Sequence, residues 1–240
     1  MIEVLPAIIP ESYENLTCKM SAVKGIAKLV QIDVCDGRFV PSKSWPYVGD
    51  YENHFETITE ESEGFPFWDS MDFEVDLMIK NPEDSVEKWI KAGAKGIVLH
   101  IESSPKILDL VKDVRKTYGY YGDSLVNVEI GIALNIDTPN EVLYDFLKPN
   151  TQGKTLADFV QFMGIKKVGY QGQEFDQGVL PRIIRLREAY PELIISIDGG
   201  VTLANAVQLV DAGVNRLVSG SEIFDSVNVV DTINRFKSID

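Results

Sequence analysis

One stretch of the sequence decides the fold. It runs from Phe73 to Gly93 and reads FEVDLMIKNPEDSVEKWIKAG. Its first part, Phe73–Ile79, is a short apolar run without the strict alternation of a half-exposed strand, which favours a parallel strand buried on both faces. Its second part, Pro82–Ala92, has the apolar spacing of a helix, with Asn81 as the expected N-cap and Gly93 as the stop signal. The stretch therefore predicts a strand followed by a helix.

The same strand and helix unit recurs along the whole chain. Further amphipathic segments lie at Pro139–Leu147, Val179–Ala189 and Leu203–Ala212. The apolar runs that predict strands are Val4–Ile9, Leu29–Val34, Phe73–Ile79, Gly96–Ile101, Val126–Leu134, Phe159–Ile165, Leu193–Ile197 and Arg216–Val218. Eight such units predict an α/β protein of the (β/α)8 TIM barrel type. A doubly wound open sheet is the alternative, but it normally has fewer strands and a glycine-rich first turn, which this chain lacks.

Length and composition limit the class of protein further. The 240 residues, 45% apolar and 25% charged, predict one globular domain spanning residues 1–240. The apolar fraction excludes disorder, the two cysteines exclude a disulfide scaffold, and no apolar run approaches the roughly 20 residues that cross a bilayer. A net charge of −14 argues against nucleic acid as a partner. Two cysteines without a CxxC spacing and a start without a secretory signal predict a cytoplasmic protein.

The connection Pro41–Met71 interrupts the regular spacing of the units. It is long and rich in aromatic and acidic residues. Connections of this length in a compact domain are usually functional or partly helical. Two interpretations stay open at this point, namely a surface helix with a packed aromatic cluster, and a lid or subunit contact.

Acidic residues lie within three of the predicted strands, at Asp33, Asp76 and Asp198. Burying an unpaired carboxylate costs free energy, so each of these positions requires a structural or functional explanation. Capping of a following loop would explain any one of them, but three at equivalent positions favour a shared site at the carboxyl ends of the strands, where TIM barrels carry their chemistry. They would hold a divalent cation, or two of them would act as an acid and base pair.

Glycines follow the last two predicted strands, in Asp198-Gly199-Gly200 and Ser219-Gly220-Ser221. Glycine lets backbone N–H groups approach an anion, and a phosphate site after strands seven and eight recurs in this fold. Glycine also serves turns and helix ends, so it is the placement of glycines after both strands that indicates an anion site. The sequence therefore predicts a phosphate site here.

The motifs around these positions resemble the ribulose-phosphate 3-epimerase family along nearly the whole chain. Gln31–Pro41 is similar to the family's H-V-D-V-M-D-G-x-F-V-P, and Val75–Pro82 is similar to V-H-L-M-I-x-N-P. Further segments that resemble family motifs, in the family's order, are Ala92–Glu102, Gly131–Pro139, Gly169–Phe175, Asp198–Val201 and Gly220–Phe224.

The resemblance implies a ribulose-phosphate-binding barrel enzyme that inverts carbon 3 of a phosphorylated ketopentose. Asp33 and Asp198 would be the two catalytic aspartates, one removing a proton and the other returning one on the opposite face. Gln31, Asp33, Asp76 and Asp198 would surround a divalent metal ion that polarises the carbonyl. The residues implied for substrate and phosphate binding are Met78, Met163, Gly172, Gly199, Gly200, Gly220 and Ser221. A small phosphorylated sugar is thus the expected partner, and the family suggests a homo-oligomer.

The departures from the family pattern bear on the metal. Gln31 and Asp76 stand where the family has its two metal-binding histidines, and Pro6–Pro10 lacks both serines of the family's opening P-S-I-L-S. Oxygen ligands in place of imidazoles favour Mg²⁺ or Mn²⁺ over Zn²⁺, although a site without any ion stays open.

Two alternative functions stay open. One is an aldolase-like enzyme on the same scaffold, with Lys166 as a Schiff-base amine. The spacing of Lys166 from Met163 argues against it, because three residues apart on a strand means opposite faces. The neighbouring Lys167 is expected, like Lys166, to be a solvated loop residue. The other alternative is a sugar-phosphate-binding protein without catalysis, which the lost serines and histidines would explain.

Overall fold

The computed structural model describes residues 2–122, 126 and 128–239, and they form a closed parallel barrel whose strands are neighbours in chain order. The strands are β1 Glu3–Ile8, β2 Leu29–Cys35, β3 Asp72–Met78, β4 Gly96–His100, β5 Glu129–Leu134, β6 Phe159–Met163, β7 Ile194–Asp198 and β8 Arg216–Ser219. The α-helices are α1 Tyr13–Val23, α2 His54–Thr59, α3 Glu83–Lys91, α4 Ile107–Tyr118, α5 Tyr144–Leu147, α6 Leu180–Ala189, α7 Ala206–Asp211, α8 Ser221–Phe224 and α9 Val229–Lys237. Strand β8 pairs with β1 and closes the barrel. The prediction of a TIM barrel is confirmed.

Each predicted apolar run coincides with one barrel strand. The largest differences are at β5, which begins at Glu129 rather than Val126, and at β6, which ends at Met163 rather than Ile165. Residue 127 of the predicted run Val126–Leu134 lies outside the described residues. The strands are buried nearly end to end, because the helices cover their outer face and side chains fill the interior.

Helix α3 shows how the helix of one strand and helix unit packs against the barrel. It buries Val86, Trp89 and Ile90 against the strands and carries acidic residues in its first turn and lysines in its last, which suits the helix dipole. Its start corrects the prediction for Asn81. Pro82 is the N-cap, and Asn81 has a φ of 55° and donates its backbone N–H to Ser103. Asparagine tolerates this left-handed conformation, so here it turns the chain rather than capping the helix.

The connection between β2 and β3 contains helix α2 and a packed aromatic cluster. Trp45 is fully buried, with ring centroids 5.5 Å from Phe55, 5.9 Å from Trp89 and 6.2 Å from Phe65. Such edge-to-face packing ties the connection to α3 and the outside of the barrel. The expected helix and aromatic cluster are therefore present, whereas the lid or subunit contact stays a prediction. No helix in the described ranges has the length and apolarity needed to span a membrane.

A buried ion cluster fills the end of the barrel opposite the carboxyl ends of the strands. Arg216 contacts Glu3 at 2.8 Å and both Glu74 and Glu129 at 3.2 Å, with its guanidinium 4.5 Å from the centroid of Phe159. Burial raises the pKa of Glu74 to about 8, although the Arg216 charge opposes this rise. The cluster fills this end of the interior with paired charges, so a site is expected at the carboxyl ends of the strands.

Candidate active site

Three carboxylates converge inside the carboxyl end of the barrel. Asp33 on β2, Asp76 on β3 and Asp198 on β7 each offer an oxygen, and these oxygens lie within 4.8 Å of one another. Asp76 is fully buried, and the other two are more than nine-tenths buried. Inward-pointing side chains from several strands meet at this end of a TIM barrel, so residues far apart in sequence form one site.

The amide of Gln31 joins two of these carboxylates. Its Nε2 donates to Asp33 Oδ1 at 2.7 Å and to Asp198 Oδ2 at 2.8 Å. Gln31 precedes Asp33 by two residues on β2, so both side chains point to the same side of the strand. The amide therefore sets the separation of Asp33 and Asp198.

The third carboxylate is held by a different set of donors. His100 Nε2 lies 2.9 Å from Asp76 Oδ1, and Gln161 Nε2 donates to Asp76 Oδ2 at 3.0 Å. Gln161 in turn accepts a hydrogen bond from Ser196 Oγ at 3.2 Å. Burial lowers the pKa of the His100 imidazole, but the charge of Asp76 and its hydrogen bond outweigh burial and leave the pKa raised.

Burial and repulsion between carboxylates raise the pKa values of Asp33 and Asp198. Burial is the largest cause that raises the pKa of Asp33 well above its usual value, followed by the charges of Asp198 and Asp76. Burial and the Asp76 charge also raise the pKa of Asp198, to about 7. Close buried carboxylates resist double ionisation, so without a bound cation the pair retains a proton near neutral pH.

Stability of the metal-free protein should therefore depend on pH. The folded-state pKa of Asp198 is raised from 3.8 to about 7, so between these values the folded protein binds more protons than the unfolded chain. Its free energy of unfolding then falls as pH rises through this window, by roughly 2 to 4 kcal/mol. Urea unfolding in EDTA at about pH 5 and about pH 8 measures the fall. Asp198→Asn should make this fall smaller, with a remainder from Asp33 and Glu74, whose pKa values are also raised. An equally steep fall in that variant would contradict the assignment.

The donor set fits a hard divalent cation. Carboxylate oxygens are the preferred ligands of Mg²⁺ and Mn²⁺, and Asp33, Asp76 and Asp198 provide three of them at close range. A fourth oxygen is available on Gln31, whose buried Oε1 has no hydrogen-bond partner among the described residues. Rotating this amide by half a turn exchanges its oxygen and nitrogen, so it can present either N–H donors to the carboxylates or an oxygen to a cation.

A pocket at the carboxyl ends of the strands is lined by Asp33 and Asp198. Its lining contains every residue predicted for substrate and phosphate contact, namely Met78, Met163, Gly172, Gly199, Gly200, Gly220 and Ser221. Gly199 and Gly200 have φ values of 97° and 69°, and a Cβ on Gly200 would lie 2.7 Å from the backbone of Phe175. Only glycine fits there without strain.

The comparison with known proteins assigns the chain to a family. The model of the ribulose-phosphate 3 epimerase family matches residues 3–224. The chain belongs to the ribulose-phosphate 3-epimerase family. Curated ribulose-phosphate 3-epimerases are 30% identical in Synechocystis, over 97% of this chain and 91% of that protein, and 30% identical in Bacillus subtilis, over 93% of each. The one from Eremothecium gossypii is 27% identical, over 98% of this chain and 91% of that protein.

Solved structures with the same fold are more distant in sequence. A 3-keto-L-gulonate-6-phosphate decarboxylase from Vibrio cholerae has a TM-score of 0.67 at 12% identity, covering 99% of this chain and 95% of that one. A 3-hexulose-6-phosphate synthase from Salmonella typhimurium has a TM-score of 0.64 at 11% identity, covering 99% and 98%. At these identities they establish the fold alone. The predictions of the family and of an isomerase-type enzyme are confirmed by the family match and the curated relatives.

In this epimerase-family chain the predicted site residues lie together, but Lys166 does not join them. Its side chain is 75% exposed, and its Nζ lies 3.1 Å from Asp176. The lysine is therefore outside the lining of the cavity, so the aldolase-like alternative lacks the buried amine that it needs. The site also contains Gln161, Ser196 and Gln171, which the sequence analysis did not single out. Gln161 and Ser196 could have been found, because each lies two residues before an inward-facing residue of its strand.

Proposed function

We propose that this enzyme inverts carbon 3 of a phosphorylated ketose of the ribulose 5-phosphate and xylulose 5-phosphate type. The observation that carries the proposal is the pair Asp33 and Asp198, held by one amide beside a pocket whose lining contains every residue predicted for substrate and phosphate contact. The names of the curated relatives support the choice of sugar.

The proton states of the pair suit an epimerisation. One aspartate, as the carboxylate, takes the proton from carbon 3, and the electron pair moves into an enediolate with its charge on the carbonyl oxygen. The other, as the acid, returns a proton to the opposite face of carbon 3, which restores the ketone with inverted configuration. In the metal-free protein burial raises the pKa of both groups, so the buried pair holds one acid and one base near neutral pH.

A divalent cation completes this chemistry. Asp33, Asp76, Asp198 and the Oε1 of Gln31 would hold it, and the all-oxygen donor set favours Mg²⁺ or Mn²⁺ over Zn²⁺. When bound, the ion polarises the substrate carbonyl and stabilises the negative charge that develops on its oxygen. The protein residues supply the proton transfers and exclude water from the buried pair.

The phosphate end of the substrate would lie on the glycine-rich wall. No lysine or arginine is present among the described residues that line the cavity, so the backbone N–H groups of Gly200 and Gly220 and the Ser221 hydroxyl are donors for the phosphate, with Gly199 beside them. Gln171 reaches over this wall, since its Nε2 donates to the carbonyl of Ala7 at 3.0 Å.

Gly220→Ala should weaken binding at this end. The added Cβ would lie 2.3 Å from Gln171 Nε2 and 3.0 Å from the Ala7 carbonyl, while the φ of −100° at position 220 suits alanine. We therefore expect a KM for the sugar phosphate at least about tenfold higher, that is about 1.4 kcal/mol of binding, with little loss of stability. Gly25→Ala, at a positive φ far from the site, is the control for backbone strain. An unchanged KM in Gly220→Ala would contradict the phosphate assignment.

Direct interconversion of ribulose 5-phosphate and xylulose 5-phosphate, followed by NMR with Mg²⁺ or Mn²⁺ present, tests the proposed reaction. Formation of the second epimer until both reach equilibrium is the expected result. Thermal stabilisation by the sugar phosphate without any conversion would instead support the alternative of a binding protein. The expected cytoplasmic location and homo-oligomer stay predictions.

A further inference from the structure

Asp76 is held in place by hydrogen bonds to side chains on two other strands of the barrel. Its side chain is fully buried, and each of its two oxygens has one partner, His100 on the neighbouring strand β4 and Gln161 on the more distant strand β6. Neither donor contacts Asp33 or Asp198 through a hydrogen bond; Gln31 serves that pair. Gln31 therefore bonds Asp33 and Asp198, and Gln161 bonds Asp76.

Gln161 is an unusual residue for its position. The interior of a TIM barrel is normally filled by branched apolar side chains, and a buried amide costs free energy unless its groups are bonded. Gln161 is fully buried, its Nε2 is used by Asp76, and its Oε1 accepts from Ser196 Oγ. The amide is fixed at both ends, so it holds the Asp76 carboxylate in one orientation.

The geometry points to Gln161 as a positioning residue, which orients Asp76 toward the cation and keeps a lone pair of the carboxylate free for it. This inference rests on the proposed metal site. Hydrogen bonds to a ligating carboxylate fix its orientation, and the loss of such a partner typically costs about 10 to 100-fold in metal affinity. Methionine at position 161 would fill the same volume but would leave Asp76 Oδ2 without its donor.

Binding of Mn²⁺ alone, followed by the EPR signal of the free ion, tests the inference without any turnover. We expect Gln161→Met to raise the Kd for Mn²⁺ by about 10 to 100-fold, and Ser196→Ala, which frees only the far end of the amide, to raise it less. If Gln161→Met does not fold, the Kd of Ser196→Ala for Mn²⁺ still tests the inference. Phe159→Leu, a fully buried neighbour on β6 without a hydrogen bond to the carboxylates, is the control for lost packing and should leave the Kd unchanged.

A double-mutant cycle separates positioning from a general structural effect. If Gln161 acts through Asp76, then adding Gln161→Met to Asp76→Asn should raise the Kd for Mn²⁺ by less than about threefold, well below its effect in the wild type. Equal effects in both backgrounds, or a wild-type Kd in both Gln161→Met and Ser196→Ala, would overturn the inference. A wild-type protein that binds no Mn²⁺ would overturn the metal site as well, whereas conversion of the sugar phosphate would then still support the proposed reaction.

Discussion

Asp33→Asn and Asp198→Asn are each expected to lower kcat by about 10² to 10⁴-fold, the usual contribution of a positioned general acid or base. Asparagine has nearly the shape of aspartate, so the cavity keeps its form. It cannot exchange a proton at carbon 3, and one of the two required transfers is lost. Steady-state kinetics with ribulose 5-phosphate measures the effect.

Stability distinguishes this loss from unfolding. The two aspartates repel each other and are buried, as their raised pKa values indicate. Removing one charge relieves that repulsion, so at about pH 8 without metal each variant should resist urea at least as well as the wild type. A variant that loses activity and stability together would argue for a structural role instead.

Arg216→Met should give the largest loss of stability, roughly 3 to 5 kcal/mol. The change removes the cation that contacts Glu3, Glu74 and Glu129 at the closed end of the barrel and leaves these acids facing one another. Methionine retains apolar packing on Phe159 but supplies no donor. Urea unfolding at about pH 9, above the pKa of about 8 that Glu74 has in the folded protein, measures the difference.

Two further variants test whether charge or shape matters at this cluster. Arg216→Lys keeps the charge but cannot reach three carboxylates with one planar group, so we expect about half the loss seen with methionine. Adding Glu74→Gln to Arg216→Met should recover part of the stability, because the most buried acid is then neutral. A double variant no more stable than Arg216→Met would show that Glu74 is not the source of the loss.

Much of the fold follows from local patterns. Every strand is a short, largely buried run that contains Val, Ile, Leu, Phe or Met, and the helices between them have one apolar face, so their type and order can be predicted without tertiary contacts. Asp33, Asp76 and Asp198 stand out for the same reason, because each is a charge inside a buried run. The failure at Asn81 is also local, since an asparagine before a proline suits both an N-cap and a left-handed turn.

The partners of the buried polar groups could not be predicted from the sequence. Gln161 and Asp76 are 85 positions apart, and Gln31 and Asp198 are 167 apart. Whether an amide on one strand reaches a carboxylate across the interior depends on the tilt and stagger of the barrel strands, which no short motif encodes. The same holds for Arg216, whose three acids come from three other strands.

Hydrogen exchange at carbon 3 in heavy water tests the two-aspartate mechanism most directly. With Mg²⁺ or Mn²⁺ present, the wild type should exchange the carbon 3 hydrogen of both epimers. Asp33→Asn and Asp198→Asn should each keep exchange with one epimer only, and with opposite epimers, because each retains the base on one face. Undiminished exchange of both epimers in either variant, or no exchange by the wild type with either metal, would contradict the mechanism.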